Sequence, residues 1–138
     1  MDATQLAVSP FITLLAWSVV LLAVHIGLQS IPATLELGSA WNAGPRDDRQ
    51  EPSGVFAGRA ERAFANFRET YPAFIGLSLS LAIVGDLTGW GLIGAWLWLV
   101  CRIVYIPLYL AGIPYVRSLV WVGSLVGLLI MTGVLIFS

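Results

Sequence analysis

Apolar residues fill positions 11–28 almost without interruption, as FITLLAWSVVLLAVHIGL, and dominate again over 71–84, 90–111 and 114–137. A helix needs about 20 such residues to cross the hydrocarbon core of a bilayer. The pattern therefore predicts an all-α membrane protein, a four-transmembrane-helix bundle running up-down-up-down, with helices at about 11–28, 58–84, 90–111 and 114–137. Ser9 and Pro10 suit the start of the first helix. Between 29 and 57 the character changes: Pro32, Pro45 and Pro52, several glycines and the cluster PRDDRQE predict a polar loop that cannot lie in lipid. GDLTG at 85–89 reads as a tight turn, and Pro72 as a kink inside the second helix. Gly123 and Gly127 have the GxxxG spacing that lets membrane helices approach closely.

One polar pattern interrupts this picture. In GRAERAFANFRETY, residues 58–71, Arg59, Arg62, Asn66 and Glu69 fall on one stripe of a helix, while Glu61 and Arg68 point elsewhere. The stripe runs straight into the apolar part of the second span, and polar groups entering lipid need a partner or a ligand. The third span answers with Arg102, Tyr105 and Tyr109. If the two helices are antiparallel neighbours, residues whose numbers share a sum lie at one depth, because each helix rises about 1.5 Å per residue. Arg62 then matches Tyr109, Asn66 matches Tyr105, and Glu69 matches Arg102. Glu69 with Arg102 reads either as an ion pair that fixes helix register or as part of a ligand site. The polar groups are more numerous than register requires and look like the wall of a site for a small zwitterion.

Composition removes other classes. The chain has 138 residues, 58% hydrophobic and 11% charged, with a mean hydropathy of +0.86, where soluble chains carry roughly a quarter charged residues. It reads as one integral membrane domain over 1–138. A net charge of −1 offers no basic surface for nucleic acid, and the single cysteine, Cys101, excludes an internal disulfide or a CxxC site. Cys101 projects about 100° from Arg102 on its helix and reads as a structural thiol. His25 reads as a packed or interfacial residue, Trp41 as an interfacial anchor, and Asp47 and Asp48 as a solvated loop with local ion pairs; no metal site is expected. MDATQLAVSPF lacks the basic start of a signal peptide, so the first span reads as retained. The chain has no lysine, and Arg46, Arg49, Arg59 and Arg117 flank the first and third connections. Both termini are then expected on the non-cytoplasmic side.

These residues resemble a known family, the membrane-associated proteins in eicosanoid and glutathione metabolism (MAPEG). Its RxxxNxxE/D pattern is matched by Arg62, Asn66 and Glu69, and its RxxYxxxY pattern by Arg102, Tyr105 and Tyr109, with Arg117 following. The resemblance covers residues 58–118. It implies a homotrimer that binds glutathione between subunits and takes a lipophilic small molecule or lipid from the bilayer. It further implies that Arg62, Asn66, Glu69, Tyr105 and Tyr109 contact glutathione and that Arg117 activates its thiol. Ala65 stands where some prostaglandin synthases of the family carry a further arginine, and Thr70 where the leukotriene-conjugating synthase has a tyrosine.

The chemistry suits the residue types. Glutathione carries two carboxylates and an ammonium; Arg59 or Arg62 can hold a carboxylate with paired hydrogen bonds, Glu69 the ammonium, and Asn66 either kind of group. Arg102 would keep Glu69 ionised. The expected function is a glutathione-dependent transferase or peroxidase acting on lipophilic electrophiles or lipid hydroperoxides, with glutathione as co-substrate and no metal. Two alternatives stand beside it: a non-catalytic lipid-binding scaffold, which the family also contains, and a proton-coupled transporter. Arginines around Glu69 speak against the transporter, since they hold a carboxylate ionised rather than let it cycle protons. Without the resemblance, the preferred reading of Arg117 is a cytoplasmic interfacial anchor.

Overall fold

Among the described residues, six helices account for most of the chain: α1 (Ala3–Ala7), α2 (Pro10–Leu37), α3 (Ser39–Ala43), α4 (Val55–Val84), α5 (Trp90–Leu110) and α6 (Pro114–Phe137). They are seen in a computed structural model that describes residues 2–137 apart from 8 and 49, and the side chains of 6 and 7 are also outside the description. Arg49, one of the arginines behind the expected orientation, therefore lies outside the described residues. No strand occurs among the described residues. Helices α2, α5 and α6 are long and apolar enough to cross a membrane. Helix α4 is the longest, but Arg59, Glu61, Arg62, Arg68 and Glu69 all lie in its first half and lower its hydropathy.

The first long helix does not stop at residue 28 as its apolar run suggests. It continues to Leu37, so that residues 29–37 of the expected loop are helical, and α3 takes up more of it. The extension QSIPATLEL holds good helix formers, Pro32 removes only one intrahelical hydrogen bond, and Ala33 is buried. Gly38, at φ 95°, ends the helix in a conformation that disfavours side chains, and its N–H still reaches the Thr34 carbonyl at 2.8 Å. Glu36 then joins distant segments. Its carboxylate accepts the backbone N–H groups of Ser53 at 2.7 Å and Gly54 at 3.2 Å, together with the Ser53 hydroxyl. These groups lie at the start of α4, where an acidic side chain suits the free N–H groups and the helix dipole. In the loop, Arg46 bonds the Asn42 carbonyl at 3.1 Å and stacks over Trp41 at 4.3 Å, in place of the local ion pairs expected with Asp47 and Asp48.

Helices α5 and α6 share the longest seam, α2 packs on α4, and α4 also touches α5 and α6. The α5–α6 crossing depends on glycine. A methyl on Gly127 would lie 2.5 Å from the Gly94 carbonyl oxygen, and one on Gly123 would lie 2.9 Å from Cys101 Sγ. Backbones can come this close only where both helices present small residues. Between α2, α4 and α5 sits an aromatic core. Phe74 stacks on Trp98 with ring centres 3.9 Å apart, Phe67 lies on Tyr71 at 4.6 Å, and the Tyr71 hydroxyl meets Ser18 Oγ at 2.9 Å. His25 belongs to this core, 1% exposed and stacked on Phe67 at 4.6 Å. This layer supports the polar groups of α4 and α5.

Candidate functional site: a charged pocket between α4, α5 and α6

The stripe on α4 and the stripe on α5 open onto one pocket of about 590 Å3, closed on its third side by the start of α6. Arg62, Asn66 and Glu69 come from α4, Tyr105 and Tyr109 from α5, and Arg117 from α6. The four- and three-residue spacings place each set on a single helix face, so neighbouring turns deliver neighbouring groups. Ala65 lies beside the α4 groups, and on α6 the residues Ser118, Trp121 and Val122 complete the wall. None of these three stood out in the sequence, although Trp121 follows Arg117 by four residues and so shares its face.

Two neighbouring tyrosines lie in a row between two arginines. The Arg102 guanidinium lies 4.4 Å from the centre of the Tyr105 ring, the Tyr105 and Tyr109 rings are 5.5 Å apart, and Arg117 lies 4.6 Å from the centre of Tyr109. A guanidinium over an aromatic face gains about 0.5–2 kcal/mol, more as water is excluded. Arg117 is thereby held over the pocket from the first turn of α6. A cation there opposes the helix dipole, so both the dipole and the guanidinium favour an anion at that place.

Arg102 and Arg59 serve differently from expectation. Arg102 is fully buried behind the pocket, and its Nη1 donates to Asn66 Oδ1 at 2.8 Å. Its Nε and Nη2 have no hydrogen-bond partner, so the direct Glu69–Arg102 pair expected from equal depth is not formed. Depth matching assumes straight, parallel axes, whereas Pro107 lies within the matched segment of α5, Pro72 follows that of α4 by three residues, and an arginine side chain is long enough to reach one turn away. Arg59 turns to the end of α5 instead of the pocket. Its Nη1 donates to the Leu110 carbonyl at 3.0 Å, and its guanidinium lies against Gly112, at φ 76°, where a methyl would come within 2.7 Å of Nη2. There it caps the Leu110 carbonyl at the negative end of the helix dipole. Cys101 faces Gly123 in the α5–α6 seam and does not line the pocket.

Taken together, the pocket offers two guanidinium groups, one carboxylate, one amide and two phenols within an otherwise apolar bundle. A family model described as the MAPEG family matches residues 14–137, a span that includes every one of these groups. The chain belongs to the MAPEG family. It is accordingly an integral membrane protein, and the pocket lies wholly within the MAPEG match. No curated protein and no solved structure matches it.

Proposed function

We propose that this MAPEG protein binds glutathione in the pocket as a thiolate and uses it against lipophilic electrophiles or lipid hydroperoxides. The observation that carries the reading is the convergence of Arg62, Asn66, Glu69, Tyr105, Tyr109 and Arg117 on one cavity. Arg62 takes a carboxylate of the tripeptide, Glu69 its ammonium, and Asn66 whichever polar group lies between. Arg102 positions Asn66 through their hydrogen bond, and Arg59 fixes the end of α5 that carries Tyr109. All four long helices cross the membrane in this reading, with both termini on the non-cytoplasmic side. The lipophilic co-substrate arrives from the bilayer, and the protein assembles as a homotrimer.

Arg117 supplies the activation. A thiol titrating near 8.5 is only a few per cent thiolate at neutral pH, and lowering its pKa by about two units takes about 2.7 kcal/mol of preference for the anion. One guanidinium beside a helix N-terminus in a partly dry pocket is of that order. In the transferase reaction the thiolate forms a C–S bond while a leaving group departs, or while the resulting carbanion is protonated. In the peroxidase reaction it attacks the peroxide oxygen, releasing alcohol, and a second glutathione completes a disulfide and water.

The test is the ultraviolet absorbance of bound glutathione as a function of pH, in the wild type and in Arg117→Ala. The wild type should show a thiolate pKa about two units below that of free glutathione, and Arg117→Ala should lose most of that shift and slow turnover of a model electrophile by about tenfold to a thousandfold. An unchanged pKa and rate in Arg117→Ala would remove its assigned role. A second reading, the lipid-binding scaffold, is favoured by an apolar groove of about 500 Å3 between α2 and α5, walled by Trp17, Val24, Trp96, Leu99 and Ile103. A wild type that forms no thiolate but retains bound lipid would support it.

A further inference from the structure

The charges of the pocket are not spread evenly along it. Its outer end, where α4 begins, α5 ends and α6 begins, holds Arg62 and Arg117, the latter over the ring of Tyr109. Glu69 follows Arg62 by seven residues on α4, about 10.5 Å deeper and within about 20° of the same face. The inner end thus carries a carboxylate and the outer end two guanidinium groups.

The other arginines are committed elsewhere. The chain has seven arginines and no lysine, and among the described residues only Arg62 and Arg117 line the pocket. Arg102 is fully buried behind it on Asn66 Oδ1, Arg59 is held on the Leu110 carbonyl, and Arg68 lies over Phe64. Because Arg102 occupies Asn66 Oδ1, the amide has its NH2 left to donate, and Tyr105 adds a phenol. The inner end can therefore offer an anion only neutral donors, about half as strong as charged ones, beside a carboxylate that repels it.

Glutathione, once its sulfur is ionised, must fit this gradient with three anionic groups and one ammonium. Three extended residues span about 10–11 Å, which matches the separation of Glu69 from Arg62. With the ammonium on Glu69, the glycyl carboxylate reaches Arg62 and the sulfur is left to Arg117. The γ-glutamyl α-carboxylate shares a carbon with the ammonium, so it stays at the inner end, away from both guanidinium groups. We propose that the pocket recognises an ammonium, a thiolate and one distal carboxylate, and makes no ionic contact with the α-carboxylate. Its ligand class is peptide thiols with a terminal ammonium, whether or not a carboxylate sits beside that ammonium. The inference rests on the proposed thiol-binding reading and narrows it.

The wild type in detergent is titrated calorimetrically with three thiols: glutathione, its γ-aminobutyryl analogue, which lacks only the α-carboxylate, and its glycyl amide, which lacks only the distal charge. The γ-aminobutyryl thiol should bind within about threefold of glutathione, and the glycyl amide about tenfold or more weaker. Equal losses, or a larger loss for the γ-aminobutyryl thiol, would mean that a cation reaches the inner end and would overturn the proposal. Arg62→Met gives a second measurement. It should bring glutathione and its glycyl amide to nearly equal affinity, while the ratio between glutathione and the γ-aminobutyryl thiol stays as in the wild type. A variant that still prefers glutathione to the amide about tenfold would reject the placing of the glycyl end. Glutathione binding with the reversed order of losses rejects this inference alone. Binding of the γ-aminobutyryl thiol without glutathione would uphold it and reject glutathione as the ligand, and a wild type that binds none of the three rejects both.

Discussion

Asn66 holds the single hydrogen bond of a guanidinium that has no exposure to solvent. The rest of the Arg102 charge is met by the faces of Tyr105 and Phe67, at 4.4 and 5.6 Å. Removing the amide strands a buried charge, whereas removing the charge leaves a neutral amide. Asn66→Leu should therefore destabilise the protein more than Arg102→Met, and the double variant should show a coupling of about 1.5–3 kcal/mol in reversible unfolding in detergent. Additive losses would show that the bond contributes nothing. The sequence made both polar stripes legible because helical periodicity places them, and it made legible which faces they share. It could not show which rung Arg102 would choose. That choice depends on side-chain reach and on helix axes, and a one-turn displacement changes the partner from Glu69 to Asn66 without changing any spacing in the chain. Arg59 was hidden for a similar reason: its acceptor is a backbone carbonyl, and every residue has one.

At the level of helices, the seam between α5 and α6 is set by backbone contact. A methyl on Gly127 would meet the Gly94 carbonyl and the Trp98 backbone nitrogen, at 2.5 and 2.8 Å, and backbone cannot rotate aside as a side chain does. Gly127→Ala should lower the thermal unfolding midpoint, with a cost of about 1–3 kcal/mol for the overpacked contact. Gly133→Ala is the matched control. Its added methyl meets nothing within 4 Å, so it should be neutral or stabilising by up to about 1 kcal/mol from helix propensity. Equal effects of the two substitutions would mean that the crossing is not what Gly127 serves. The GxxxG spacing signalled close approach but not its partner. The end of α2 was illegible for a different reason: proline and polar residues mark loops on average, yet Pro32 is accommodated within the helix and the chain turns only at Gly38.

For the molecule as a whole, α4 decides the topology. Its first half is charged and its second half apolar, so hydropathy alone singles out α2, α5 and α6, and a fourth crossing by α4 belongs to the proposed reading. In a Cys101→Ser background, a cysteine placed by Asp47→Cys should react with a membrane-impermeant maleimide only after the membrane is opened, and one placed by Gln5→Cys should react from outside. The opposite labelling would invert the proposed orientation, and labelling of both from one side would require an odd number of crossings between them to be given up.

The Glu36 contact with Ser53 and Gly54 has a further consequence. It fastens the end of α2 to the start of α4, so the intervening strand of chain is bounded by a closed clasp and bears little of the bundle's cohesion. Closure entropy grows only with the logarithm of length, about 0.6 kcal/mol for each doubling. The chain around residues 44–48 is therefore a place where extra sequence, even a folded passenger, could be spliced in while the helices keep their register.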